Sequence, residues 1–291
     1  MTEAAALRSG KGAGDENFPV ASWLIKARHR PAILAFYEFV RTADDIADHP
    51  SLGSAEKLAR LDELEASLLG SGNAPEGVTL AKILQSRNLS SAHARDLLRA
   101  FRQDVVKRRY ADWAELMDYC ALSAMPVGRF VLDVHGEQHA NWPASDALCA
   151  ALQIINHLQD CGADYRNLDR VYIPMDALAA RGIEVDALGQ SIATSPLRDC
   201  LRYLAERTGG LLRASRGLAD SARDTRLAME ISTIQAVAER LTTLLQVRDP
   251  LSETVKLTRG MTLTAVTDGI SGALFRRAFR KKSPVRECQT P

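Results

Sequence analysis

The chain has 291 residues, with 37 Lys and Arg against 36 Asp and Glu and a formal charge of +1; that length can bury a sizeable core as one domain, here taken as residues 1–291. So even a balance excludes recruitment of nucleic acid by an overall field, and no stretch reaches the roughly 20 nearly unbroken apolar residues of a membrane span. Five widely spaced cysteines with no C-x-x-C pair exclude a disulfide framework or zinc ribbon and suit a reducing cytoplasm.

Residues 1–15, rich in Gly and charge, read as a mobile leader without the apolar stretch of a signal peptide. SGKGAG within it lacks the Ser or Thr after lysine that a phosphate loop needs. From there the apolar spacing is helical almost throughout, so the fold class is all-α with eight to ten helices. Pro31 opens a helix carrying Ile33, Phe36, Tyr37 and Val40 that runs to Asp48, before Pro50 and Gly53. Gly70-Ser71-Gly72 is a turn, and Lys107-Arg108-Arg109-Tyr110 reads as a solvated face rather than a wall of a phosphate pocket. His135 and His139 stand four apart without the HExxH pattern, next to Gly136 and Pro143, which argues against zinc. Ser145 precedes the apolar run DALCAALQIINHLQD and Ser195-Pro196 opens another long helix. Arg181-Gly182 and Asp249-Pro250 mark turns. The basic tail, about residues 274–291, mixes Leu274, Phe275 and Phe279 with Arg276, Arg277, Arg280, Lys281 and Lys282, a pattern able to rest on an anionic membrane surface.

Two acidic clusters carry the chemistry. In RTADDIAD, Asp44 and Asp48 project from one helix face, with Asp45 to the side. In NHLQDCGADYR, Asn156, Asp160 and Asp164 recur every fourth residue and form an oxygen-bearing stripe about 12 Å long, although Gly162 blurs the end of that helix. A carboxylate pair about 6 Å apart in a partly buried setting repels by roughly 3 kcal/mol, so a cation must compensate. Carboxylates and an amide suit Mg²⁺, with Mn²⁺ as an alternative, and Arg41, Arg166 and Arg170 can contact phosphate oxygens directly.

ENFPVAS, FYEFVRTADDIAD, AFRQDVVKRRYADWAELMDYC and LQIINHLQDCGADYRNLDRVYIP resemble the squalene and phytoene synthase family over most of the chain, and the SAMPVG and NHLQDCGADYR segments resemble its bacterial hopanoid branch. The resemblance implies an isoprenoid-synthase helical bundle with a central cavity. It implies metal ligands at Asp44, Asp48, Asn156, Asp160 and Asp164. It also implies that presqualene diphosphate and water become hydroxysqualene and diphosphate, a carbon–oxygen lyase reaction without NADPH. Gln159 stands where many relatives carry Arg or Lys, and Leu122 where some carry a second tyrosine beside the one matched by Tyr119. Both departures fit a single, already condensed substrate.

Tyr119, Tyr37 and Phe36 are the candidates for stabilising a carbocation through their ring faces, with Phe130 beside them. The alternatives are presqualene diphosphate, squalene or phytoene synthesis, and, in another class, a non-catalytic assembly factor of the same fold. The implied setting is the cytoplasm, peripheral to the inner face of the membrane, with product passed on to other hopanoid-pathway enzymes.

Overall fold

The computed structural model describes residues 24–280; the SGKGAG and ENFPVAS segments, the leader, Cys288 and the tail beyond 280 lie outside them. The described residues form twelve α-helices and no strand, matching the helical periodicity. The helices are α1 (Arg30–Asp48), α2 (Ser54–Leu68), α3 (Pro75–Arg87), α4 (Ala92–Val106), α5 (Trp113–Ser123), α6 (Met125–His135), α7 (Trp142–Leu168), α8 (Met175–Ala179), α9 (Ser195–Ser215), α10 (Leu218–Ser221), α11 (Thr225–Leu245) and α12 (Arg259–Arg280). α8 and α10 are single short turns, so ten helices of 11 residues or more build the bundle. None among the described residues is long and apolar enough to cross a membrane.

Several boundaries differ from the sequence expectation. α7 begins at Trp142 rather than after Ser145, because Pro143 sits in its first turn, where a missing N–H costs nothing. It also runs unbroken through Gly162. A Cβ there would meet Leu251 at 2.6 Å, so the glycine serves close packing rather than helix termination. α9 is capped by the Thr194 hydroxyl, which accepts from the Leu197 N–H, and not by Ser195.

Two apolar clusters share the interior. One joins α1 to α4 around Phe39, Leu61, Leu80 and Leu98. The larger joins α5, α7, α9 and α11 around Ile154, Leu197, Leu201 and Leu241. Residues of both clusters line a cavity of about 550 Å³, within the range of small-molecule sites. α12 closes the outside of α11: a Cβ at Gly269 would lie 2.7 Å from the Thr233 backbone, so only glycine permits this approach.

The loop around Lys107–Tyr110 is neither a free solvated face nor a cavity wall. Arg108 donates to the Leu168 carbonyl, Arg109 pairs with Asp169, and the Val171 N–H donates to the Arg108 carbonyl at 2.9 Å. Lys107 pairs with Glu115, and the Tyr110 ring is fully buried. The basic run ties this loop to the end of α7.

Candidate active site

The two acidic stripes face one cavity. Asp44 and Asp48 from the last turns of α1, and Asn156, Asp160 and Asp164 from α7, all line it. α1 and α7 bring these C-terminal halves to the same end, where Arg170 Nη2 donates to Asp48 Oδ1 at 2.8 Å. Away from that end the lining is largely apolar, with Ile33, Val131, Leu148, Leu227 and Ile231, although the buried Glu230 and Ser145 also line it. The site is therefore polar at one end and oily along its length.

The chain reverses sharply to place Arg170. Asp169 adopts a left-handed conformation (φ 49°), and the Arg170 N–H returns to the Asp164 carbonyl at 3.1 Å, closing α7. Arg170 is only 4% exposed, and its Nη1 donates to the Tyr172 hydroxyl at 3.2 Å. Arg41 lines the cavity too, pairing with Asp44 and Asp45 at 2.9 Å each. Arg166 does not join them. It lies exposed, with a guanidinium nitrogen beside Gly162, because two residues past Asp164 the helix has turned its side chains away from the stripe.

Burial and crowding disturb the carboxylates. The carboxyl of Asp44 is raised well above the usual range, first by burial and then by the neighbouring Asp48; its 36% exposure opens on the cavity. Asp164 is pushed up to about 7 by burial and by Asp160. These are acids arranged against their own ionisation, and a bound cation reverses that imbalance.

Below the acidic end lies a polar cluster whose members, apart from Tyr119, the sequence reading missed. Asp104 of α4 accepts from Tyr119 at 2.7 Å and from Tyr172 at 2.9 Å. Burial raises its carboxyl to about 6, with Arg170 and the two hydroxyls opposing. The His157 ring stacks on Tyr172 at 3.6 Å, and burial with the Arg170 charge lowers its pKa to about 3, leaving it neutral. The available signal was weak: Asp104 sits in the amphipathic AFRQDVV segment between Phe101 and Val105, where a carboxylate on the buried face needs a partner.

Phe36 and Tyr37 both line the cavity, and Phe36 stacks on Phe130 with centroids 3.9 Å apart. Tyr119 lines it as well, with its hydroxyl committed to Asp104. Gln159 faces elsewhere, its amide donating to the Val255 carbonyl in the loop before α12. Leu122 packs against the larger core.

Histidine chemistry outside the cavity does not rescue a zinc site. His135 gathers with His29 and Asp224, with one ligand atom of each within 4.8 Å of the others. His139 packs on Trp142 instead. Lys26 already stands 2.8 Å from Asp224 Oδ2, and an ammonium in that place opposes a metal.

Comparison with known proteins identifies the family. The family model for squalene/phytoene synthase matches residues 12–260. A protein of Rhodopseudomonas palustris named hydroxysqualene synthase is 56% identical over 282 residues, covering 97% of each chain. Another of that name from Sinorhizobium fredii is 51% identical over 96% of each. Among solved structures, squalene synthase HpnC from Alicyclobacillus acidocaldarius superposes with a TM-score of 0.70 at 30% identity, over 82% of this chain and 90% of the other. A dehydrosqualene synthase gives a TM-score of 0.78 at 18% identity over 96% and 97%, a likeness of fold. Motifs, cavity and relatives converge, and the chain belongs to the squalene/phytoene synthase family.

Proposed function

We propose that this enzyme ionises presqualene diphosphate and lets water capture the cation, releasing hydroxysqualene and diphosphate. The observation that carries the reading is the convergence of two acidic stripes and Arg170 at one end of a cavity whose lining is otherwise mostly apolar. A diphosphate fits the charged end and hydrocarbon chains fit the rest. The names borne by the two proteins more than 50% identical to this chain support the choice of reaction within the family.

The residues present fit a divalent cation, since Asp44 and Asp164 are held against ionisation by burial and by neighbouring carboxylates. Asp44, Asp48, Asn156, Asp160 and Asp164 would hold Mg²⁺ or Mn²⁺. When bound, the metal supplies positive charge that neutralises the leaving diphosphate. Arg170 and Arg41 aim fixed guanidinium donors at the same end, where charge develops as the carbon–oxygen bond breaks and its electrons leave with diphosphate. Phe36, Tyr37, Tyr119 and Phe130 line the cavity, where aromatic rings would stabilise the cyclopropylcarbinyl cation and its rearranged allylic form. The apolar walls hold bulk water off until one molecule adds its oxygen lone pair to carbon. The proton it sheds goes to the departing diphosphate, so no nicotinamide is consumed.

The substrate and product are oily, and the exposed Leu274, Phe275 and Phe279 of α12 support a contact with an anionic membrane surface from which both are exchanged.

The test is a product assay of purified protein with Mg²⁺ in heavy-oxygen water. Presqualene diphosphate alone, without NADPH, yields an alcohol carrying solvent oxygen. A dominant hydrocarbon, efficient use of farnesyl diphosphate alone, or an unlabelled alcohol rejects the reading in favour of presqualene diphosphate, squalene or phytoene synthesis. No turnover of any of these leaves the non-catalytic alternative.

A further inference from the structure

The reaction needs one water where nearly all others are excluded, and none of the residues discussed so far holds it. We infer that the Ser123 hydroxyl positions the water that captures the cation; the inference rests on the proposed conversion of presqualene diphosphate to an alcohol. Ser123 ends α5, one turn beyond Tyr119 on the same face, and both line the cavity. The Tyr119 ring centroid lies 6.0 Å from that of His157, which neighbours Asn156 on the acidic stripe. Ser123 thus lies on the cavity wall one helical turn beyond the tyrosine that faces His157.

Buried Ser67, Thr208 and Thr242 each donate to the carbonyl one turn back along their helices. Thr233 is buried with an unpartnered hydroxyl but does not line the cavity. Ser145, the other serine lining the cavity, is hydrogen-bonded to Cys149. The Ser123 oxygen is buried and has no hydrogen-bond partner. An unsatisfied hydroxyl costs stability that alanine would not, so its presence calls for a ligand. The residue itself is part-exposed to the cavity. A χ1 rotation that brings the oxygen to the cavity would break no hydrogen bond, since it makes none. There it takes one hydrogen bond from, or gives one to, a water whose remaining lone pair faces the cation. The serine forms no covalent bond and keeps its proton.

Ser123→Ala, Ser123→Thr and Ser123→Cys are compared with the wild type on presqualene diphosphate, reading diphosphate release and product composition together. The expected result for Ser123→Ala is diphosphate release close to wild type, thermal stability equal or higher, and an alcohol fraction lower by about tenfold, the scale of one lost hydrogen bond. Hydrocarbon from proton loss makes up the difference. Ser123→Thr, which keeps the hydroxyl, restores the alcohol. Ser123→Cys, a poor hydrogen-bonding group of similar size, behaves as Ser123→Ala and stands in for it if that variant does not fold. A wild-type alcohol fraction in Ser123→Ala or Ser123→Cys overturns the assignment while leaving the proposed reaction intact. Absence of alcohol from the wild type itself overturns the reaction, and the serine's role falls with it.

Discussion

Arg170 reaches from the chain just after α7 to Asp48 at the end of α1, with 2.8 Å between guanidinium and carboxylate across 122 residues of sequence. The contact joins the two acidic stripes, because Arg170 is held by the turn that terminates one and is bonded to the last carboxylate of the other. The guanidinium therefore ties the end of α1 to the end of α7 at the acidic end of the cavity. Arg170→Met is expected to lower stability by about 2 kcal/mol, below the ~3–5 kcal/mol of a fully buried broken pair because Asp48 is 37% exposed. Diphosphate release should fall by about 10²–10³-fold, the scale of losing one donor to developing charge. Urea unfolding and a phosphate-release assay measure the two effects separately; normal turnover would remove Arg170 from the site.

Each of Asp44→Asn, Asp48→Asn, Asp160→Asn and Asp164→Asn should reduce diphosphate release at least about 10²-fold with helix content unchanged, since each removes a hard anionic ligand at nearly constant volume. Excess chelator should silence the wild type, and added Mg²⁺ or Mn²⁺ should restore it. Turnover that persists in chelator would contradict metal dependence.

The same acids set a pH dependence. Asp164 has a folded value of about 7 against an ordinary 3.8, so between these limits the unfolded chain gives up this proton first. The folded state then holds more protons, and the group's contribution to stability falls as pH rises from about 4 to about 7. Asp164→Asn lacks this penalty, so its stability advantage over the metal-free wild type should grow across that window and level off above it. Parallel thermal unfolding series in chelator measure the difference. An advantage that shrinks with pH would show that Asp164 is not held against ionisation.

Tyr119 separates packing from polarity. Tyr119→Phe removes one of two hydroxyls from Asp104 and should cost about 1–3 kcal/mol while keeping the ring face. Tyr119→Leu removes the face as well. If the ring stabilises the cation, turnover should survive the first change and drop steeply in the second, by single-turnover kinetics on folded protein. Equal losses would assign the residue to the Asp104 cluster alone.

On α12, Arg276 is pinned to Asp220 and Ser232, and Arg277 to carbonyls after α10, so both are engaged by the protein. Phe275 and Phe279 are 63% and 57% exposed. Replacing both by serine should weaken sedimentation with phosphatidylglycerol vesicles without lowering the thermal midpoint. Unchanged sedimentation would exclude this face as a membrane contact.

By itself the sequence determined the helical class, the α1 boundary at Pro31 and the end at Asp48, and the two oxygen stripes. All of these are properties of a single helix, readable from spacing along one segment. Arg166 and Arg170 looked equivalent on the same terms. Only the tertiary structure separated them, because the left-handed turn at Asp169 sends Arg170 inward while Arg166 stays on the outer face of α7. The gathering of Asp104, Tyr119, His157 and Tyr172 was likewise decided by packing among α4, α5, α7 and the segment after α7. A helical period says which residues share a face. Which faces meet, and which buried hydroxyl is left without a partner, depends on contacts between segments far apart in the chain.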